Sequence, residues 1–217
     1  MKQLIGVWEK PYYTFELGIG KSIRLLNDSK GLEFNELFNN FIKKHPGATD
    51  LNLFDPLIND LYFGMVYHEQ ALVLCVSSFE VYFKRKLDEI FEKLSEPKQE
   101  SLTKRNFQNL DDCKDFADTL KLASFGEDEK RLLKEPFQDR HIITHNGSLI
   151  DNKWVTQLDK PEILAEMNQK QSLTYDYVKQ TIVDCHKIVT HIETEINEKY
   201  DIEGSRGSLV NELIKNL

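Results

Sequence analysis

A continuous helical pattern from Asp55 to Leu94 is the feature that most constrains this fold. Apolar side chains recur through it at the three- and four-residue spacing of a helix. From Ala71 to Val76 every position is apolar, so a helix in this part has no polar face. Such a helix has to be covered by neighbours on several sides. The sequence therefore predicts an all-α protein, an up-and-down helical bundle built around this segment.

The other predicted elements are mostly helical as well. A stripe of apolar residues from Leu32 to Lys44 predicts a helix, and residues 1–30 are interpreted as an arm or short helix. Apolar spacing from Tyr175 to Tyr200 predicts a long closing helix. Shorter helices are expected at about residues 98–109, 111–123 and 127–134, with a further turn at 161–167 and a small amphipathic segment at 209–217.

Pro136 predicts the start of one more short helix. Proline is unfavourable inside a helix but suits the first position, so we expect the helix to begin there. Asn146 and Gly147 are a typical C-terminal signal. Residues 148–158 are expected to form a short hairpin or loop. These boundaries divide the chain into an N-terminal arm and helix at 1–54, a bundle at 55–203 and a C-terminal tail at 204–217.

Composition and charge limit the functions that such a bundle can have. The chain has 217 residues, of which 40% are hydrophobic and 29% are charged, a balance typical of a globular, helix-rich protein. Its formal net charge is −8, so most of its surface would repel nucleic acid. A function that involves nucleic acid therefore needs a local basic site.

Cysteine usage and the N-terminus favour a soluble, cytoplasmic protein. Cys75, Cys113 and Cys185 form no CxxC pair, which favours a reducing compartment. Residues 1–13 contain only a short apolar patch and are not typical of a signal peptide. The six-residue apolar run that ends at Val76 is far below the roughly 18 to 20 residues that span a bilayer. We therefore expect no membrane association.

The densest group of polar side chains lies between Asp139 and Asn146. On a helix with about 100° per residue, the side chains of Arg140, Thr144, His141 and His145 share one arc of about 140°. Ile142 and Ile143 fall on the other side. We expect the two isoleucines to anchor the helix to the bundle.

The chemistry of this group suits a phosphodiester. Arg140 supplies a permanent, forked donor for phosphate oxygens, and His145 can accept or donate a proton near neutral pH. Together they suffice for metal-free cleavage of RNA, in which the ribose 2′-hydroxyl attacks phosphorus. Two alternatives stay open: Arg140 and the histidines could pair only with nearby carboxylates, or His141 and His145 could share a zinc ion. Ile142 stands where the metalloprotease motif has its Glu.

The sequence RHIITHNG, from Arg140 to Gly147, resembles the RxxxxH motif of HEPN-domain proteins. A polar residue follows the Arg, here His141, and apolar residues fill the middle of the motif. The segment NGSLIDNKWV is similar to the short hairpin after the motif in the branch labelled RiboL-PSP-HEPN, or in toxin and abortive-infection types. The segment VSSFEVYFKRKL, at 76–87, resembles the central helix of such proteins. The resemblance covers about residues 60–200.

This resemblance implies an all-α bundle that forms a two-fold homodimer with a shared cleft. It implies a metal-independent endoribonuclease, with no cofactor, that leaves a 2′,3′-cyclic phosphate and a 5′-hydroxyl. Arg140 would bind phosphate and His145 would act as general base or acid. The supporting residues would be His141, Thr144 and Asn146 on the motif helix, with Ser78 and Glu80 on the central helix.

The family also implies a biological setting and an alternative. Relatives act on RNA in processing, as toxins or in abortive phage defence, and the toxins are often paired with a nucleotidyltransferase-like antitoxin. Other members are inactive. For this chain the alternative is therefore a non-catalytic HEPN bundle that acts as a scaffold, a nucleotide-binding module or an immunity partner.

Overall fold

The computed structural model describes residues 10–30, 32, 34–44, 46, 55–94, 107–200 and 210–217. Its regular elements within these ranges are helical, apart from one isolated β-bridge between Leu149 and Lys170. In chain order they are α1 (Pro11–Asp28), α2 (Phe34–Lys44), α3 (Asp55–Leu94), α4 (Leu110–Thr119), α5 (Glu127–His145), α6 (Asn152–Leu158), a 3₁₀ helix (Pro161–Glu166), α7 (Tyr175–Tyr200) and α8 (Asn211–Lys215). The predicted all-α class is confirmed.

Helix α3 lies at the centre and packs against α1, α2, α5 and α7. Ala71, Leu72, Cys75 and Val76 are completely buried, whereas Val73 and Leu74 of the same apolar segment are half-buried. The bounds of α3 and α7 are those that their apolar spacing predicts. Two turns further along α3, Phe83 packs in a cluster of aromatic rings, with Phe79, Phe107, Phe116 and Phe125 as its neighbours.

Residues 11–28 are part of the main core. Pro11 occupies the first turn of α1, where its missing N–H costs nothing. The helix buries Phe15, Ile19, Ile23 and Leu26 against the bundle. Gly18 lets α1 approach α3 closely, because a Cβ atom at this position would lie 1.7 Å from the Ser78 Oγ.

The prediction of a helix that begins at Pro136 is wrong. Helix α5 runs from Glu127 to His145 with Pro136 inside it, so the helix N-terminus and its positive field lie more than two turns earlier. An internal proline costs roughly 3 kcal/mol because it removes a backbone hydrogen bond. Pro136, Leu133 and Phe137 are all buried, and the burial of these apolar groups offsets that cost.

The prediction of a hairpin or loop at residues 148–158 is also wrong. Most of the segment is helix α6, because Asp151 caps it by accepting a hydrogen bond from the Trp154 backbone N–H at 2.7 Å. The chain before α6 pairs instead with residues 168–171, where Ile150 N–H donates to Gln169 O at 3.0 Å. The expected turn at 161–167 is the 3₁₀ helix.

Several sequence predictions concern residues beyond the described ranges. Residues 98–106 of the helix expected at 98–109 lie outside them, and residues 107–109 are not helical. Asn109 caps α4 by accepting a hydrogen bond from the Asp112 N–H at 2.8 Å. The start of the arm at 1–9 and the boundary at 201–209 lie outside as well. None of the described helices is both long enough and apolar enough to cross a membrane.

Candidate functional site

The last two turns of α5 carry the predicted site and are fixed to the bundle by the two isoleucines. Ile142 is 1% exposed and belongs to a small apolar cluster with Ile150, Trp154 and Val155. Ile143 is partly buried against the main core. The polar residues that precede and follow the two isoleucines are therefore held at fixed positions around the helix.

Arg140 is bound by Glu80 on the side of α5 that faces the central helix. Its Nη2 donates to Glu80 Oε2 at 3.1 Å, and the two side chains are only 14% and 9% exposed. Arg140 Nε and Glu80 Oε1 are buried and have no hydrogen-bond partner among the residues that the structure describes. Burial raises the pKa of Glu80 to about 7, against the opposing effect of the Arg140 charge. Glu80 thus contacts Arg140, which lies sixty residues away in the sequence. Lys84, the cation one turn along α3 from Glu80, is exposed.

His141 and His145 lie together on the outer side of α5. Their ring centroids are 4.9 Å apart, as expected for residues one helical turn apart. His145 is exposed and His141 is half-buried. The pKa of His141 is lowered by burial, and next by the positive charge of Lys153 on α6. A neutral His141 at neutral pH can accept a proton.

Arg140 and His145 occupy different sides of the helix in a single chain. Five residues separate them, which corresponds to about 140° around the helix and about 7.5 Å along it. The guanidinium group faces α3 and Glu80, whereas the His145 ring is exposed beside His141.

The other predicted supporting residues make local contacts. Thr144 Oγ1 donates to the Arg140 carbonyl at 2.9 Å, and Asn146 Nδ2 donates to the Leu149 carbonyl at 2.7 Å. Gly147 has φ +58°, a backbone conformation that favours glycine at a helix end. Asn146 therefore serves as the C-cap of α5 and holds the following turn.

Ser78 lies on another side of α3 from Glu80. Its Oγ donates to the Leu74 carbonyl at 2.6 Å and sits against Gly18 of α1. Residues two positions apart on a helix, such as Ser78 and Glu80, differ in direction by about 200°. The helix therefore cannot direct both side chains toward Arg140. The structure brings Glu80 to Arg140 and directs Ser78 to α1.

Asp139 is a structural centre of the site that sequence spacing does not identify. It is fully buried and accepts hydrogen bonds from Trp154 Nε1 at 2.8 Å, Gln171 Nε2 at 3.4 Å and the Tyr177 hydroxyl at 2.6 Å. Burial raises its pKa to about 6, and the hydrogen bonds from Tyr177 and Trp154 oppose the rise. These contacts join α5 to α6 and α7 immediately before Arg140.

A second polar contact fixes the turn that follows the motif. Ser148 Oγ donates to Glu69 Oε1 of α3 at 2.9 Å, and Lys170 Nζ lies 2.9 Å from the same carboxylate. Both ends of the polar group are thus attached to other elements by buried or half-buried hydrogen bonds.

The described residues do not supply a metal centre around the two histidines. Within them, no group of three His, Cys, Asp or Glu side chains is arranged to hold a metal ion. On the closing helix α7, His186 is buried and its Nε2 lies 3.7 Å from Glu16 Oε1, whereas His191 is exposed. The zinc alternative therefore has no third ligand in this part of the chain.

Comparison with known proteins adds no relative. Neither a scan against protein-family models nor searches of curated proteins and of solved structures gave a match. The geometry of α5 and of the elements that pack around it therefore provides the evidence for a function.

Proposed function

We propose that this chain is a metal-independent endoribonuclease of the HEPN type, which cleaves RNA at a composite site between two copies. The observation that carries the proposal is the exposed His145, in contact with His141 on a helix that also bears Arg140 held by a buried carboxylate. This combination provides proton transfer and a fixed positive charge without a metal.

In the proposed reaction, His145 acts as the general base or acid. An imidazole removes the proton of the ribose 2′-hydroxyl, and the 2′-oxygen forms a bond to phosphorus. The bond from phosphorus to the 5′-oxygen breaks, and a second protonated imidazole donates its proton to that leaving oxygen. The products are a 2′,3′-cyclic phosphate and a 5′-hydroxyl. Arg140 would stabilise the negative charge that develops on the phosphate oxygens.

The positions of Arg140 and His145 around α5 support the proposal of a second copy. Because they lie about 140° apart around α5, a phosphate beside one exposed His145 is poorly placed for the Arg140 of the same chain. A two-fold axis near the outer side of α5 would bring two histidine pairs together and provide both a base and an acid. Glu80 would act as a positioning residue, since it fixes the guanidinium group.

The proposal includes the biological setting that the HEPN resemblance implies. An RNA-cleaving homodimer of this kind would serve in prokaryotic defence or as a toxin in the cytoplasm. A nucleotidyltransferase-like antitoxin, or another protein of the same defence system, would then be its partner.

Cleavage of end-labelled single-stranded RNA in EDTA tests the activity. Wild-type protein should yield fragments that end in a 2′,3′-cyclic phosphate, and His145→Ala should be at least about 100-fold slower because a general acid or base is lost. The matched control is His191→Ala, since His191 is exposed on α7. Cleavage by His145→Ala at the wild-type rate would remove His145 from the mechanism.

Subunit mixing tests the composite site. Arg140→Ala and His145→Ala homodimers should each be inactive, whereas a mixed dimer retains one Arg140 and one His145, with His141 as the second imidazole. Partial recovery of activity on mixing is expected if the two residues act across the interface. A folded, strictly monomeric enzyme that cleaves RNA would contradict the shared cleft.

A non-catalytic HEPN scaffold, nucleotide-binding module or immunity partner is the second candidate. One observation favours it: the Arg140 charge is already paired with Glu80 within the chain. A folded wild-type protein that cleaves no RNA would support this candidate. Toxicity of the wild-type chain in cells, together with a harmless Arg140→Ala variant, would exclude it.

A further inference from the structure

A groove of about 450 Å³ lies beside the first half of α5, between the start of α4 and the end of α6. Three cationic side chains line it, Lys130, Arg131 and Lys134, together with four carboxamides that include Gln138 and Gln157. The proposed cleavage chemistry uses none of these residues.

The face of α5 that lines the groove also carries the two histidines, beyond the end of the groove. The residues on this stripe are Lys130, Lys134, Gln138, His141 and His145. At about 100° per residue they fall within an arc of about 80°. The buried residues Leu133, Pro136, Asp139 and Ile142 lie outside this arc, as expected if the arc faces solvent. Lys134 and His145, both exposed, are about 16 Å apart along the axis.

Helix α6 follows the same path from the other side. Gln157 lines the groove together with Gln138, and Lys153, one turn earlier on α6, lies close enough to His141 to lower its pKa. The groove and the histidines therefore share both walls, α5 and α6.

The charge of the groove differs in sign from that of the chain. Its charged lining consists of three cations and two carboxylates, Asp111 and Glu127, which gives +1 against −8 for the whole protein. Lys130 is paired with Asp111 at 2.6 Å and Arg131 with Asp128 at 2.7 Å, while Lys134 is exposed. The groove is thus less acidic than the chain as a whole, and Lys134 places a positive charge at its surface, which favours a polyanion there over the rest of the protein.

We infer that this groove binds the single-stranded RNA that flanks the cleaved phosphate and leads it to His141 and His145. The inference rests on the proposed endoribonuclease function. Lys130 and Lys134 would contact phosphates along α5. The carboxamides of Gln138 and Gln157 have the donor and acceptor pairs that hydrogen-bond to base edges of unpaired nucleotides. The groove would thereby orient the strand and contribute to substrate selection.

Binding is measured by fluorescence anisotropy of labelled single-stranded RNA in EDTA, with the His145→Ala protein so that the RNA stays intact. For single strands, the logarithm of the binding constant falls with the logarithm of the salt concentration, with a slope of about 0.7 for each phosphate contact. Loss of one contact should therefore weaken binding about fourfold at about 0.15 M salt. Lys130→Gln with Lys134→Gln should weaken binding about 15-fold and lower the salt slope by about 1.4. Lys187→Gln, an exposed lysine on α7, is the matched control and should bind unchanged.

The possible outcomes separate this inference from the proposed function. If wild-type protein cleaves RNA but the double lysine variant binds RNA like the control, the groove inference is overturned and the nuclease stands. If RNA binding depends on the two lysines but no RNA is cleaved, the groove stands and the nuclease fails. Absence of RNA binding by the folded protein overturns both.

Discussion

Replacement of Asp139 by asparagine removes a buried charge next to the proposed catalytic helix turn. The Asp139 carboxylate is fully buried and accepts hydrogen bonds from Trp154, Gln171 and Tyr177. Asparagine has nearly the same shape and keeps one acceptor oxygen, but it does not ionise. Because the substitution also replaces one acceptor oxygen with an NH2 donor, only the part of its effect that depends on pH reports the free energy of the charge.

The size and sign of the effect follow from the pKa of Asp139, which burial raises from 3.8 to about 6. A raised pKa means that the folded chain binds the proton more tightly than the unfolded chain does. The resulting stabilisation is complete below pH 3.8 and is lost as the pH rises through 6. The difference between the two pKa values corresponds to about 3 kcal/mol of unfolding free energy. The amide side chain of the variant has no such dependence on pH.

Urea unfolding, followed by far-UV circular dichroism across a pH series, measures this effect. The unfolding free energy of Asp139→Asn minus that of the wild type should rise by about 2.5 kcal/mol from about pH 4 to about pH 8. Asp176→Asn provides the same substitution at an exposed position on α7. A difference that stays constant with pH, or that falls, would show that the hydrogen bonds to Asp139 outweigh its burial.

Two further substitutions test the contacts of α3. Glu80→Ala should lower the unfolding free energy by about 3 kcal/mol, because it leaves the mostly buried Arg140 charge without its partner. In urea unfolding, Glu80→Ala with Arg140→Ala should cost less than the sum of the single losses, and strict additivity would argue against a direct interaction. Gly18→Ala should destabilise by about 1 to 3 kcal/mol, because its Cβ would lie 1.7 Å from Ser78 Oγ. Gly20→Ala on the same helix, whose Cβ would lie 3.6 Å from its nearest neighbour, should stabilise by about 0.5 to 1 kcal/mol. Equal thermal shifts for the two alanine variants would contradict this packing.

Elements with strong and continuous apolar spacing could be predicted from the sequence. The bounds of α3 and α7 follow from that spacing alone, because each buries a wide stripe along its whole length. Sequence reasoning failed where a local preference competes with packing. Pro136 favours a helix start, yet the burial of Leu133 and Phe137 keeps α5 continuous through it.

The candidate site could be predicted only in part. The spacing of Arg140, His141 and His145 fixes their positions around one helix, and the pair of histidine rings follows from it. Glu80 was expected near the site, but its pairing with Arg140 depends on how α3 packs against α5. The importance of Asp139 has no signature in local spacing, because its partners lie 15 to 38 residues further along the chain.

The sequence by itself determined the all-α class, the central position of α3 and the side of α5 on which His145 lies. These follow from periodicity, which depends only on neighbours within one helix. Tertiary structure alone decided that Arg140 faces Glu80, that Asp139 joins three helices, and that Lys134 and Gln157 line one groove. Those relations depend on the docking of distant segments, which burial energy sets for the whole chain and no short window of sequence contains.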